Sequence, residues 1–179
     1  MEVLRQEEAY TIEDIYALPD GERAELIDGQ IYYMSPPSTK HQRLLNFIST
    51  EINMYIRQNN GECEVFPAPF AVFLDKDDKN YVEPDISVIC DKNKITEKGC
   101  NGAPDLAIEI VLPGSRTVDY FTKLFKYSSA GVREYWIVDP MKQRVTVYFF
   151  ENKSVEEYSF GADIPVGIYE GLHITLEQG

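Results

Sequence analysis

Three cysteines, two histidines and one tryptophan among 179 residues leave little material for several classes of protein. Cys63, Cys90 and Cys100 are odd in number and no two stand in CxxC spacing. Neither a disulfide framework nor a thiolate zinc site is therefore expected, and the three read as free thiols, with Cys90 in the core at a strand end. His41 and His173 are isolated, so there is no HExxH and no His-rich zinc site. P-loop, GxGxxG and GxSxG patterns are missing as well, which removes the sequence grounds for an ATPase, a dinucleotide enzyme or a serine hydrolase. No stretch approaches the roughly 20 apolar residues of a membrane span, and the acidic start lacks the basic and apolar regions of a signal peptide. A cytoplasmic protein without a membrane partner is the expectation.

Positive charge is also scarce: 17 Lys and Arg stand against 30 Asp and Glu, a formal net charge of −13. The excess sits at the two ends. Residues 1–30 hold nine acids and two bases, and residues 151–179 hold six acids and one base, whereas residues 31–150 are nearly balanced. Such a chain gains little from the counterion release that drives general DNA binding, which disfavours a strong general DNA binder and leaves room for a local, metal-bridged contact.

What is present is globular: 44% hydrophobic, 12% aromatic and 26% charged residues, with Gly and Pro as punctuation and no repeats. One domain across residues 1–179 is expected. Thr11 followed by Asp14 predicts a short helix that stops before Pro19. Two apolar runs around Asp28-Gly29 predict a hairpin, which puts Glu25 on a strand. Leu44, Leu45, Phe47, Ile48, Ile52, Tyr55 and Ile56 recur at helical steps until Asn59-Asn60-Gly61, predicting a long amphipathic helix with His41 near its start. Strands are expected at 63–66, 70–74, 85–90 and 106–112. A second helix follows over 117–130, its apolar side formed by Val118, Phe121, Leu124, Phe125 and Tyr127. Further strands are expected at 134–138, 144–150, 155–160 and 173–176. The class is α+β, a mixed β-sheet flanked by helices.

Three acids stand where an acid is not free. Glu25 lies within its short strand, Asp85 follows Pro84 and opens Ile86-Ser87-Val88-Ile89-Cys90, and Glu109 interrupts Leu106-Ala107-Ile108-Glu109-Ile110-Val111-Leu112. Alternation groups Ala107, Glu109 and Val111 on one face. That face is either solvated, or it holds a carboxylate that must be paired or metal-bound. If the strands of Asp85 and Glu109 are neighbours, the two carboxylates converge on one hard divalent cation, Mg²⁺ or Mn²⁺. Lys123, in the following helix, is the candidate to stabilise charge on a phosphoryl oxygen, with a snorkelling surface lysine as the alternative. His41 is a candidate substrate contact at the positive end of its helix, against a capping role.

Pro84-Asp85, then Glu109 in an apolar strand, then a lysine, resembles the metal-dependent PD-(D/E)XK nuclease plan. A longer likeness is to the Uma-type family of putative restriction endonucleases. It is carried by Glu25-Leu26-Ile27-Asp28-Gly29, Met34-Ser35-Pro36 with His41-Gln42, Glu83-Pro84-Asp85 and Gly102 through Ile110. The most specific stretch runs from Asp119 through Lys123 and Tyr127 to Ala130-Gly131-Val132-Arg133-Glu134-Tyr135-Trp136-Ile137-Val138-Asp139-Pro140, and the whole spans roughly residues 10 to 150. The resemblance implies a restriction-endonuclease-like fold, Glu25, Asp85 and Glu109 as metal-site acids, and Lys123 as the catalytic lysine. Two departures stand out. Val111 occupies the position where the simple motif has its lysine, and Leu112-Pro113-Gly114-Ser115 replaces a run of small polar residues.

The function expected from this pattern is metal-dependent hydrolysis of DNA phosphodiester bonds by activated water, with a homodimer useful for cutting both strands. The rival is a catalytically inactive nuclease fold that serves as a binding or assembly module. A two-carboxylate glycosidase built on Asp85 and Glu109 ranks behind both, because it leaves Lys123 unexplained.

Overall fold

The computed structural model describes residues 9–178. The first element is α1 (Ile12–Tyr16), where Thr11 and Asp14 form a capping box. The hairpin β1 (Ala24–Ile27) and β2 (Gln30–Tyr33) follows, turning through Asp28 and Gly29 with φ of 49° and 78°. Helix α2 (Thr39–Gln58) comes next, capped by Ser38, whose side chain accepts from the His41 amide. Then come β3 (Glu64–Pro67), β4 (Val72–Phe73), β5 (Ile86–Ile89), β6 (Ile95–Thr96), β7 (Gly99–Asn101) and β8 (Leu106–Ile110). A π-helical stretch at Val118–Thr122 leads into α3 (Lys123–Ala130), which ends at Gly131 with φ of 96°. The remaining strands are β9 (Glu134–Asp139), β10 (Arg144–Phe149), β11 (Ser154–Ser159), β12 (Asp163–Pro165) and β13 (His173–Thr175).

The central sheet has six strands in the order β11-β10-β9-β8-β5-β3. Its neighbours are antiparallel except β8 and β9. A parallel pair needs a crossover connection, and the π-helix with α3 provides it. The expected α+β class with a mixed sheet is what the chain adopts. The alternation along β8 sends its side chains into two separate cores. Leu106, Ile108 and Ile110 join Ile48, Ile52 and Ile56 of α2 on one face, while Ala107 and Val111 join Tyr127, Tyr135, Ile27 and Val72 on the other. Both faces are covered, so a solvated face for Glu109 is ruled out: the residue is 4% exposed.

Two expectations fail. Cys63 and Cys90 form a disulfide, and Cys100 alone is a free, buried thiol. The reason is register. Antiparallel pairing of Glu64 with Ile89 places the residues just beyond them, Cys63 and Cys90, opposite each other, across 27 residues of sequence. The second failure is the inward face of the second helix. Phe121 and Phe125 are 71% and 73% exposed, whereas Asp119, Lys123, Lys126 and Tyr127 are buried. The helix is turned by its ion pairs: Lys126 reaches Asp28 and Asp75, and Lys123 reaches acids on β1 and β8.

Candidate active site

The register of β5 and β8 pairs Ile86 with Ile108 and Ser87 with Ala107, so one step further puts Asp85 opposite Glu109. Directly opposed residues in an antiparallel pair have Cβ atoms about 4.5–5.5 Å apart. Asp85 is held there by its own surroundings: Oδ2 accepts the Ile110 amide at 2.7 Å, and its carbonyl accepts the Ala68 amide at 2.9 Å. Glu25 reaches the same place from β1. Its Oε1 accepts the Glu83 amide at 2.8 Å, which ties the hairpin to the segment leading into Asp85.

Lys123 closes the group from the opposite side. Its Nζ lies 2.8 Å from Glu25 Oε2, 2.8 Å from Glu109 Oε1 and 3.7 Å from Asp119 Oδ1. Glu109 Oε1 also accepts from the Tyr127 hydroxyl at 2.7 Å. The spacing of Asp119, Lys123 and Tyr127 by four residues is what lines them up along one side of the helix. Ser115 Oγ donates to Asp119 Oδ2 at 2.5 Å, and the Asp119 carbonyl accepts from the buried Tyr135 hydroxyl at 2.9 Å. His41 stands on the other flank, with Nε2 3.0 Å from Asp85 Oδ1 and Nδ1 3.1 Å from Gln42 Oε1.

Burial and mutual repulsion set the protonation of this cluster. Desolvation pushes the Glu109 carboxyl well above the usual carboxylate range, with Lys123 opposing it and Glu25 and Asp85 adding to it. Desolvation likewise pushes Asp119 up to about 6, against the pull of Lys123 and Ser115. Burial acts to lower the Lys123 ammonium, but Glu109, Glu25 and Asp119 outweigh it and hold it well above its ordinary value, so it carries its charge at neutral pH. Burial also acts to lower His41, and the bond to Asp85 reverses this to a raised value. With an acceptor at each ring nitrogen, the imidazolium is the form that satisfies both bonds.

Glu25, Asp85, Glu109, Asp119 and Lys123 form the floor of a cavity of about 420 Å³. One wall is β2 and the segment after it, another is Ala68 and Pro69, and a third is Leu112, Gly114 and Ser115. All five residues singled out from the sequence, Glu25, His41, Asp85, Glu109 and Lys123, line it. A family model described as Uma2, putative restriction endonuclease, matches residues 12–177 of this chain. The chain belongs to the Uma2 family. Its match runs past residue 150, where the motifs end, and takes in β11, β12 and β13.

Two known proteins share features with this Uma2 chain. The uncharacterized protein slr1290 of Synechocystis sp. is 26% identical over 128 residues, covering 71% of this chain and 66% of the relative. The crystal structure of a putative nuclease belonging to DUF820 from Anabaena variabilis superposes with a TM-score of 0.75 at 24% identity, covering 94% of this chain and 96% of that one. The second match establishes the shared fold.

Asp119, Ser115 and Tyr127 were not among the site residues expected from the sequence. For Asp119 and Tyr127 the signal was there, in their four-residue spacing about Lys123. Ser115 gives no such signal, because its contact depends on how the loop folds back. Asp85, just before β5, and Glu109, on the neighbouring β8, present hard oxygen donors, the donor class that Mg²⁺ and Mn²⁺ take. Among the described residues no three His, Cys, Asp or Glu side chains are grouped as a ready cage for a metal. The fit is therefore to a two-carboxylate site of the kind Mg²⁺ uses when substrate phosphate supplies the remaining ligands.

Proposed function

We propose that this chain is a Mg²⁺- or Mn²⁺-dependent endodeoxyribonuclease that hydrolyses a phosphodiester bond with water as nucleophile. The observation that carries the reading is the opposition of Asp85 and Glu109 at one cavity floor, with the Lys123 ammonium 2.8 Å from Glu109. Asp85 and Glu109 would hold the ion. When bound, a divalent cation neutralises phosphoryl charge and acidifies water. Lys123 presents a fixed positive charge to the phosphoryl oxygens as negative charge builds in the transition state. Glu25 and Asp119 keep that ammonium in place, so they act through Lys123. Tyr127 orients Glu109, and His41 holds Asp85 in its rotamer while facing the cavity where substrate enters.

Calorimetric titration of Mn²⁺ and Mg²⁺ into the protein and into Asp85→Asn, each with and without an oligonucleotide, tests the reading. Binding by the wild type that is lost in Asp85→Asn, with metal-dependent cleavage of DNA, is the expected result. A wild type that binds no metal even with DNA present, and leaves it intact, favours the second reading, a catalytically silent binding module. That alternative draws on the same geometry, since Lys123 already satisfies two of the acids.

A further inference from the structure

Besides its charged floor, the cavity has an apolar and aromatic lining from Ile31, Tyr32, Tyr33, Met34, Pro37 and Pro69. Tyr33, at the end of β2, is 66% exposed and lines the cavity together with Met34, Pro37 and Pro69. A large aromatic ring left in solvent beside a buried catalytic floor presents a flat π-face. Bases stack on such a face when they are unpaired, and stacking of this kind tolerates any sequence.

The charges lining the cavity point the same way. Arg23 and Lys123 are the two lining side chains with permanent positive charge. Arg23 is already paired with Glu83, and Lys123, which faces the scissile phosphate, also neutralises Glu25 and Glu109, so neither is left over to hold the flanking backbone. Four lining acids, Glu25, Asp85, Glu109 and Asp119, stand against them. A duplex held along its backbone needs several uncommitted cations to replace its counterions. Depth adds a second obstacle. Glu25, Glu109, Asp119 and Lys123 are all buried, so the scissile phosphate must descend between the walls while the chain on either side turns sharply. Duplex DNA, with a persistence length of about 150 base pairs, resists such a turn, and an unpaired strand does not.

We propose that the substrate is an unpaired DNA strand, one nucleotide of which enters the cavity and is stacked against Tyr33. The proposal rests on the nuclease reading and narrows it. A site that takes one strand also needs no two-fold mate to cut.

The test uses fluorescently labelled DNA as a single strand and as the perfect duplex of the same sequence, in Mn²⁺ at physiological salt, reading anisotropy and cleavage separately. The single strand is expected to bind and be cut at least about tenfold better than the duplex. Tyr33→Ala should lose about tenfold in single-strand affinity with an unchanged melting temperature, and Tyr33→Phe should retain the affinity. Equal cutting of both substrates overturns the strand preference and leaves the nuclease reading standing. Tyr33-dependent binding of the single strand without cleavage upholds the stacking site and sinks the nuclease reading. Failure to bind either form, an indifferent Tyr33→Ala, or tighter binding of the matching RNA strand each overturns the assignment.

Discussion

Lys123 has exchanged its hydration for two carboxylates at 2.8 Å and a third at 3.7 Å. Removing one partner of such a buried group costs about 3–5 kcal/mol, because the remaining charges lose their compensation. Lys123→Met should therefore lower the melting temperature most at neutral pH. Because the acids left behind can take up protons, part of the loss should return as the pH is lowered, and thermal melts across pH 5–8 read both effects. Asp119 supplies the pH dependence with a definite sign. Its carboxyl rises from 3.8 to about 6 on folding, so its contribution is complete below about pH 4 and is lost as pH rises through 6. The span is on the order of 3 kcal/mol. Asp119→Asn cannot titrate, so the stability gap between wild type and variant should shift in favour of the variant between pH 4 and 6.5. A gap that stays constant over that range would show that Asp119 does not hold a raised pKa.

The secondary structure elements differed in how far the sequence disclosed them. The hairpin at Asp28-Gly29, the long helix ending at Asn59 and the strands β5 and β8 were legible because turn chemistry and apolar periodicity act within a few residues. The fold was readable on that basis; Glu25, Asp85 and Glu109 stood out as acids in or beside apolar runs and through the family likeness, and Asp119 did not stand out. The facing of the second helix was not. Apolar periodicity turned Phe121 and Phe125 inward, but the acids of β1, β8 and the loop at Asp75 lie far away in sequence and draw Lys123 and Lys126 inside instead. The same long-range dependence hid the bond between Cys63 and Cys90. Strands β6, β7 and β12, two or three residues each, are too short for any period to show. With both rings in solvent, Phe121→Ser and Phe125→Ser should each change unfolding free energy by no more than about 0.5 kcal/mol, measured in urea. Tyr127→Phe, which removes a hydroxyl from Glu109, should cost about 1.5–3 kcal/mol in the same assay.

For the molecule as a whole, the acidic excess and the site describe one strategy. A chain of net charge −13 cannot hold a polyanion by its general field, so the proposed recognition of DNA rests on this one cavity. Among the described residues no helix is long and apolar enough to cross a membrane. The disulfide between Cys63 and Cys90 turns residues 63–90 into a closed covalent ring. That ring carries Pro69 of the cavity wall and Asp85 of its floor, and it also carries the exposed Lys76 and Lys79. A brief cut by trypsin at either lysine should therefore open the ring without dividing the molecule. The nicked protein would run as a single species on a non-reducing gel and fall into two fragments only when thiol is added, so the wall and the acid remain tethered to both halves after the backbone between them has been severed.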